Sequence, residues 1–91
     1  MIHTPTLTPN EALILQQVHE DGEDDVSTIA IQLGMSRSYV AAVVSHLKNK
    51  RLVVVQASLD DLWIHLTANG RQLVNYMWPE TRTKLTRSLS Y

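Results

Sequence analysis

The segment that most constrains the fold runs from residue 26 to residue 52, where apolar side chains repeat at the spacing of two consecutive helices. In the first half, four apolar residues share one helical face: Val26, Ile29, Ala30 and Leu33. Gly34 follows, and a glycine just beyond a helix adopts the left-handed conformation without steric penalty. The segment therefore predicts a helix that ends at about residue 33 and turns sharply.

A second helix is predicted after this turn, with Ser36 as its N-cap. One face is apolar and contains Val40, Val43, Val44 and Leu47. The other carries small or polar residues: Arg37, Ser38, Ala41, Ala42, Ser45 and His46. Two helices joined in this way are typical of a helix-turn-helix, whose small exposed side chains let the second helix approach the DNA major groove. Periodicity alone leaves an ordinary helical hairpin as the alternative.

The preceding residues predict one further helix and an acidic loop. Thr8, Pro9 and Glu11 form a capping box with proline in the first turn, and an apolar stripe follows at Ile14, Leu15 and Val18. The acidic run 20–25 is expected to end this helix as a solvated loop. Its spacing matches no calcium-binding loop, so we predict no metal site there.

The following residues predict a two-stranded hairpin and then more helix. Residues 52–55 are rich in β-branched side chains, and residues 62–66 alternate between apolar and other residues. The tip of the hairpin is expected at residues 59–61. Thr67 is a candidate N-cap for the last helical region, which Pro79 should interrupt. A helix-turn-helix followed by a hairpin is the arrangement of a winged helix.

Composition limits the class of protein. Ninety-one residues with 44% hydrophobic content fit one small domain, and no run reaches the length of about 18 apolar residues that a membrane span needs. The absence of cysteine and of a secretion signal predicts a cytoplasmic protein. Residues 1–25 carry six acidic side chains and no lysine or arginine, whereas residues 26–59 carry four basic side chains and no acid. The basic part of the chain thus coincides with the predicted helix-turn-helix.

The order of these features resembles the winged-helix transcription regulators of the MarR type over roughly residues 7–73. The matching pieces are Leu7-Thr8-Pro9, Ile29-Ala30 with Leu33-Gly34-Met35-Ser36-Arg37-Ser38, Val40 with Val43-Val44 and Leu47, and Leu66-Thr67 with Gly70-Arg71. The resemblance implies a homodimer that binds a palindromic double-stranded DNA site. It also implies that helices at both ends of the chain form the dimer. Relatives bind small molecules between these dimerisation helices and the DNA-binding lobe. The sequence identifies no effector ligand.

Three positions depart from the pattern of this family. Relatives often carry arginine where this chain has Ala42, and basic residues where it has Asp60 and Asp61. An acidic wing tip should be repelled by DNA phosphates. The glycine that usually closes the recognition helix is Arg51, which enters the left-handed conformation only at an energetic cost.

We therefore predict a mainly α-helical fold with a small β-hairpin, a winged helix-turn-helix with a C-terminal helical extension for dimerisation. The expected parts are an N-terminal tail (1–7), the winged-helix domain (8–70) and the dimerisation segment (71–91), in which apolar residues exceed what one small domain can bury. The predicted function is sequence-specific DNA binding as a transcription regulator. The predicted DNA contacts are Ser36, Arg37, Ser38, Tyr39, Ala42, His46, Lys48 and Lys50.

The alternative function is protein contact without DNA binding, through an apolar surface that contains Ile31, Trp63 and Trp78. An enzyme is the least favoured class, because no catalytic set or glycine-rich phosphate loop is present and the four histidines lack metal-ligand spacing. We predict no cofactor.

Overall fold

The structure, a computed structural model, describes residues 6–78, which form four helices and a three-stranded antiparallel sheet. In chain order the elements are α1 (Pro9–Asp21), β1 (Glu23–Asp25), α2 (Val26–Leu33), α3 (Arg37–Asn49), β2 (Val53–Ala57), β3 (Leu62–Leu66) and α4 (Ala68–Met77). The winged helix-turn-helix architecture is confirmed. The predicted interruption at Pro79 and the remainder of the C-terminal segment lie outside the described residues, as does most of the predicted N-terminal tail.

Side-chain caps place the helix starts where the sequence indicates. The Thr8 hydroxyl accepts a hydrogen bond from the Glu11 amide, and the Glu11 carboxylate accepts one from the Thr8 amide, which completes the predicted capping box. Ser36 and Thr67 cap α3 and α4 by accepting from backbone amides of the first turns. Each cap satisfies a donor that the helix itself leaves unpaired, so local sequence determines these starts.

One hydrophobic core joins all four helices and the sheet. Its members are at most 8% exposed, and they recur at the helical and alternating positions that the sequence predicts: Ile14, Leu15, Val18, Val26, Ile29, Ala30, Val40, Val43, Val44, Leu47, Leu52, Val53, Ile64, Leu66, Leu73 and Val74. Leu7, which was expected in a tail, is partly buried against this core. The core fixes the position of α3 because one whole face of that helix is buried in it.

The acidic run differs from the prediction of a loop. Glu20 and Asp21 continue α1, and Glu23–Asp25 forms the edge strand β1, which pairs with β3 in the order β1-β3-β2. Glu23 lies opposite His65, and Nδ1 of His65 is 2.9 Å from a carboxylate oxygen of Glu23. The prediction was wrong because a run of carboxylates carries no apolar alternation, and the pairing depends on a strand some forty residues away.

Helix α4 packs closely against Leu52, in the segment that joins α3 to β2. Gly70 is buried, and a Cβ atom at this position would lie 2.1 Å from the carbonyl oxygen of Leu52. The helix continues through the predicted boundary at residues 70–71, and Leu73, expected at a dimer surface, lies in the core instead. Its helical position faces the core, and apolarity alone does not distinguish a core from an interface. Within residues 6–78, no helix has both the length and the apolar character to cross a membrane.

Candidate nucleic-acid interface

Helix α3 has one buried face and one face open to solvent. The buried side chains are Val40, Val43, Val44 and Leu47, none more than 5% exposed. The open face carries Ser38, Ala42, Ser45, His46 and Lys48, and α3 contains no acidic residue. Ala41, which was expected on this open face, is partly buried against the core because it lies at the border of the apolar side. The exposed surface of α3 therefore combines small side chains with polar and basic ones and carries no negative charge.

The turn before α3 is fixed by backbone hydrogen bonds. Gly34 has φ +66° and ψ 35°, the left-handed conformation that the sequence predicts for it. Its amide donates to the Ile31 carbonyl, and the Met35 amide donates to the Ala30 carbonyl, which together form a Schellman cap. Met35 packs partly against the core. This cap and the Ser36 N-cap set the direction in which α3 leaves α2.

At the N-terminal end of α3, Arg37 binds the wing rather than pointing free into solvent. Its Nη2 atom lies 2.6 Å from Oδ1 of Asp61, and its Nε donates to the Ser27 hydroxyl at 3.2 Å. The Ser27 amide in turn donates to the other Asp61 oxygen at 3.1 Å. The wing, the start of α2 and the start of α3 are thus joined through a single carboxylate.

Asp61 is therefore not a free charge at the wing tip, as the sequence suggested. Its side chain is 8% exposed, whereas Asp60 is exposed and its side chain forms no hydrogen bond within residues 6–78. Hydrogen bonds from Ser27, Leu62 and Arg37 lower the pKa of Asp61 against the opposing effect of its burial. Its carboxylate consequently stays ionised and paired at neutral pH.

Tyr39 also has a partner within the domain. Its hydroxyl oxygen accepts a hydrogen bond from Nδ2 of Asn10 at 2.6 Å, although the ring is 43% exposed. The contact joins the first turn of α1 to the first turn of α3. Tyr39 can contact another molecule with its ring, while its hydroxyl is held by α1.

The C-terminal end of α3 is joined to α1 through Lys50. Its ammonium nitrogen lies 2.8 Å from Oε1 of Glu11 and 2.7 Å from the Thr6 carbonyl oxygen. The Glu11 side chain is only 3% exposed. Its burial favours the neutral form, but the contacts with Lys50 and the Thr8 amide outweigh that effect and lower the pKa of Glu11. Lys50 is thus engaged in an internal ion pair.

Of the eight residues predicted to contact DNA, all lie in or beside α3, but their environments differ. Arg37, Tyr39 and Lys50 have partners in other elements, and Ser36 caps the helix. The side chains of Ser38, Ala42, His46 and Lys48 are exposed and form no hydrogen bond within residues 6–78. Asn10, Glu11, Ser27 and Asp61 were not expected beside this site as partners, and no local pattern reveals contacts across such separations.

The sequence matches known proteins in a way that fits this geometry. The model of the MarR family matches residues 6–61, which is more than half of the chain. The chain belongs to the MarR family. No curated protein matches it.

Solved structures of the same architecture resemble the chain closely in fold. YusO from Bacillus subtilis has 23% sequence identity and a TM-score of 0.73, covering 92% of this chain and 62% of YusO. BpsR from Bordetella bronchiseptica, whose DNA binding is regulated by 6-hydroxynicotinic acid, has 24% identity and a TM-score of 0.72, covering 90% and 60%. A MarR family protein from Bacillus stearothermophilus has 19% identity and a TM-score of 0.74, covering 93% and 61%. The chain spans about three fifths of the length of these proteins.

One departure from the usual MarR-type pattern is visible in the backbone after α3. Arg51 has φ +62°, which is the left-handed conformation. A residue with a Cβ atom adopts this conformation only at an energetic cost. The Arg51 amide donates to the Lys48 carbonyl, and the Leu52 amide donates to the Leu47 carbonyl, which is again a Schellman cap. The cap therefore forms in this chain with arginine, rather than glycine, in the left-handed position.

Strand β1 of this MarR domain contains a buried carboxylate with an incomplete set of partners. Asp24 is 5% exposed, and one of its oxygens accepts from the Asp25 amide while the other has no hydrogen-bond partner. Burial and the neighbouring Asp21 carboxylate raise the pKa of Asp24 to about 7. Because the folded state holds a proton on Asp24 that the unfolded chain releases near its ordinary pKa of 3.8, the free energy of unfolding should fall as pH rises from about 4 to about 7. Within residues 6–78, no three histidine or carboxylate side chains are grouped to hold a metal ion.

Proposed function

We propose that the chain is a transcription regulator that binds double-stranded DNA as a homodimer, with α3 as the recognition helix in the major groove. The observation that carries this proposal is the exposed face of α3, which is built from small and polar side chains without a carboxylate. A helix must bring its backbone close to the base edges, and bulky or acidic side chains would prevent this approach.

The environments of the α3 side chains suggest a division of roles. Ser38, Ala42 and the ring of Tyr39 are placed near the start and middle of the exposed face, where recognition helices contact base edges. His46 and Lys48 in the last turn contact phosphates in this proposal. Ser36 contributes chiefly as the N-cap. Arg37 and Lys50 contribute less than their charge suggests because each already binds a carboxylate.

Dimerisation is proposed on the basis of family membership and of the surface of α4. Tyr76 is 78% exposed and Met77 is 38% exposed at the end of this helix, next to the residues that follow. Apolar side chains grouped at a helix end are typical of a contact surface. A dimer also matches the two-fold symmetry of a palindromic DNA site.

The proposal is tested by titrating the chain into labelled random-sequence duplexes at low and moderate salt. Replacing Lys48 by Ala should weaken binding to all sequences alike and make the salt dependence shallower by about one per bound domain. Replacing Ser38 by Ala should change the sequence preference and leave the salt dependence unchanged. Arg71→Ala, which removes an exposed cation of α4, is the matched control. It should change neither the sequence preference nor the salt dependence of binding. Absence of binding by the parent at low salt would contradict DNA recognition.

A second candidate is contact with another protein, favoured by two exposed apolar side chains. Ile31 on α2 is 82% exposed and Trp63 on β3 is 37% exposed, whereas Trp78 is partly buried against the core. Exposed apolar side chains mark an interaction surface where they form a contiguous patch. If α3 carries the function, Ile31→Ser should leave DNA affinity unchanged. If the parent does not bind DNA, the protein-contact candidate leads.

A further inference from the structure

Three residues form a closed polar cluster where the wing meets the helix-turn-helix. These residues are Ser27 in α2, Arg37 in α3 and Asp61 in the turn between β2 and β3. Every pair among them is in contact: Arg37 with Asp61 at 2.6 Å, Arg37 Nε with the Ser27 hydroxyl at 3.2 Å, and the Ser27 amide with Asp61 at 3.1 Å. The Leu62 amide adds a fourth contact, at 2.7 Å from Asp61 Oδ1. The carboxylate of Asp61 thus accepts hydrogen bonds from α2, α3 and β3.

We propose that Asp61 is a positioning residue that withholds Arg37 from the DNA backbone and fixes the wing against the start of the recognition helix. This inference rests on the proposed function and deepens it, because it assigns a determinant of specificity at the same site. Its consequence is a lower affinity for DNA of arbitrary sequence. The selectivity of the domain then depends more strongly on base contacts by Ser38, Tyr39 and Ala42.

The energetic reason lies in the unequal exposure of the two partners. The Arg37 side chain is 51% exposed, so a phosphate could reach it, but the Asp61 side chain is 8% exposed. If the guanidinium moved to a phosphate, it would leave a nearly buried carboxylate without its cation, and such an unpaired charge is costly. Arg37 therefore remains with Asp61. A cation withheld from phosphate reduces the sequence-independent part of binding, because each neutralised phosphate releases about 0.9 counterion.

The neighbouring Asp60 provides a matched control. It lies one residue away in the same turn and carries the same charge, but it is exposed and its side chain forms no hydrogen bond within the described part of the chain. Replacing either aspartate by asparagine removes one negative charge from the wing. Only the change at Asp61 also releases a cation. The two variants therefore separate a general charge effect from the specific release of Arg37.

The experiment measures affinity of the full chain for a pool of labelled random-sequence duplexes across a series of salt concentrations. Asp61→Asn should steepen the dependence of log affinity on log salt by about 0.9 per bound domain, which is a further loss of affinity of about 3.5-fold over a fourfold increase in salt. Arg37→Gln alone should leave the slope unchanged. The double variant should return to the parent slope, and Asp60→Asn should raise affinity without changing the slope.

Each outcome supports or overturns the inference. A shallower slope for Arg37→Gln would show that Arg37 already contacts phosphate. An unchanged slope for Asp61→Asn would show that no cation is released. Either result overturns the role proposed for Asp61, while the proposed DNA binding by the parent stands. If neither the parent nor Asp61→Asn binds, the proposed function and the inference both fail. Thermal unfolding checks that each variant is folded. If Asp61→Asn does not fold, Asp61→Ser, which also removes the charge, is measured in its place, and a slope equal to that of the parent overturns the inference.

Discussion

The two ends of α3 are both joined to other elements by ion pairs, but the contacts around those pairs differ. At the N-terminal end, Arg37 and Asp61 join the helix to the wing through side chains, and the arginine is half exposed. At the C-terminal end, Lys50 pairs with the buried Glu11, and the chain just beyond the helix makes tight backbone contacts. The Thr67 amide donates to the Leu52 carbonyl oxygen there.

This difference indicates that the two ends serve separate purposes. Backbone contacts in a close-packed region tolerate little change of shape, so substitutions at the C-terminal end should affect mainly folding stability. Side-chain contacts at a partly exposed surface tolerate rearrangement. Substitutions at the N-terminal end should therefore affect mainly the position of the wing and the charge offered to a partner.

The largest effect is expected from Gly70→Ala beside the C-terminal end. The new Cβ would lie 2.1 Å from the Leu52 carbonyl oxygen, so the backbone must shift and the free energy of unfolding should fall by about 3 kcal/mol. Denaturant titration measures this loss. Asn69→Ala, at the preceding exposed position of α4, is the control and should change stability little. A similar midpoint for both variants would show that the packing at this end adapts easily.

Glu11→Gln should cost about 2 kcal/mol at neutral pH, because it leaves Lys50 without its buried anion. The pKa of Glu11 is lowered in the folded state, so its contribution is present above its unfolded pKa and is lost as pH falls through the lower folded value. The stability difference between parent and variant should therefore shrink below about pH 4. Urea unfolding at a series of pH values checks this. Glu20→Gln, which changes an exposed carboxylate of the same helix, should show no such difference.

At the N-terminal end the two partners should differ in cost. Asp61→Ala removes an acceptor for Ser27, Leu62 and Arg37 together and should cost about 1.5 kcal/mol. Arg37→Ala should cost less, about 1 kcal/mol, because the Asp61 carboxylate loses its cation but keeps the Ser27 and Leu62 amides, and solvent screens the half-exposed guanidinium. Thermal unfolding of the two variants measures the two losses of stability. Equal losses would indicate that the ion pair, rather than the amide contacts, accounts for the role of Asp61.

The smallest effect is expected from the cap that ends α3. Arg51→Gly should raise the free energy of unfolding by about 0.5 kcal/mol, since glycine relieves the left-handed strain but adds entropy to the unfolded chain. Gly34→Ala makes the opposite change in the cap of α2, because it puts a Cβ atom on a residue in the left-handed conformation. It should lower the free energy of unfolding by about 1 kcal/mol. The two substitutions should therefore change the free energy of unfolding in opposite directions, which denaturant titration measures. A loss of stability in Arg51→Gly would mean that the arginine side chain contributes more than its strain costs.

Much of the fold follows from local patterns, as particular residues show. The capping box at Thr8 and Glu11 and the left-handed Gly34 appear where the sequence predicts them, because a cap involves only residues three or four apart. The buried row of α3 follows from helical periodicity. Strand β1 was missed because its residues are stabilised as a strand only by pairing with β3.

The sequence by itself determined the four helices, the hairpin and the small acid-free face of α3, since each depends on short-range geometry and on which side chains avoid water. Only the tertiary structure decided which charges remain available on that face. Arg37 and Asp61 are 24 residues apart, and Lys50 and Glu11 are 39 apart. A charge in a sequence shows no partner until the core has brought distant elements together, so the sequence alone could not show that two cations predicted to contact DNA are paired within the domain.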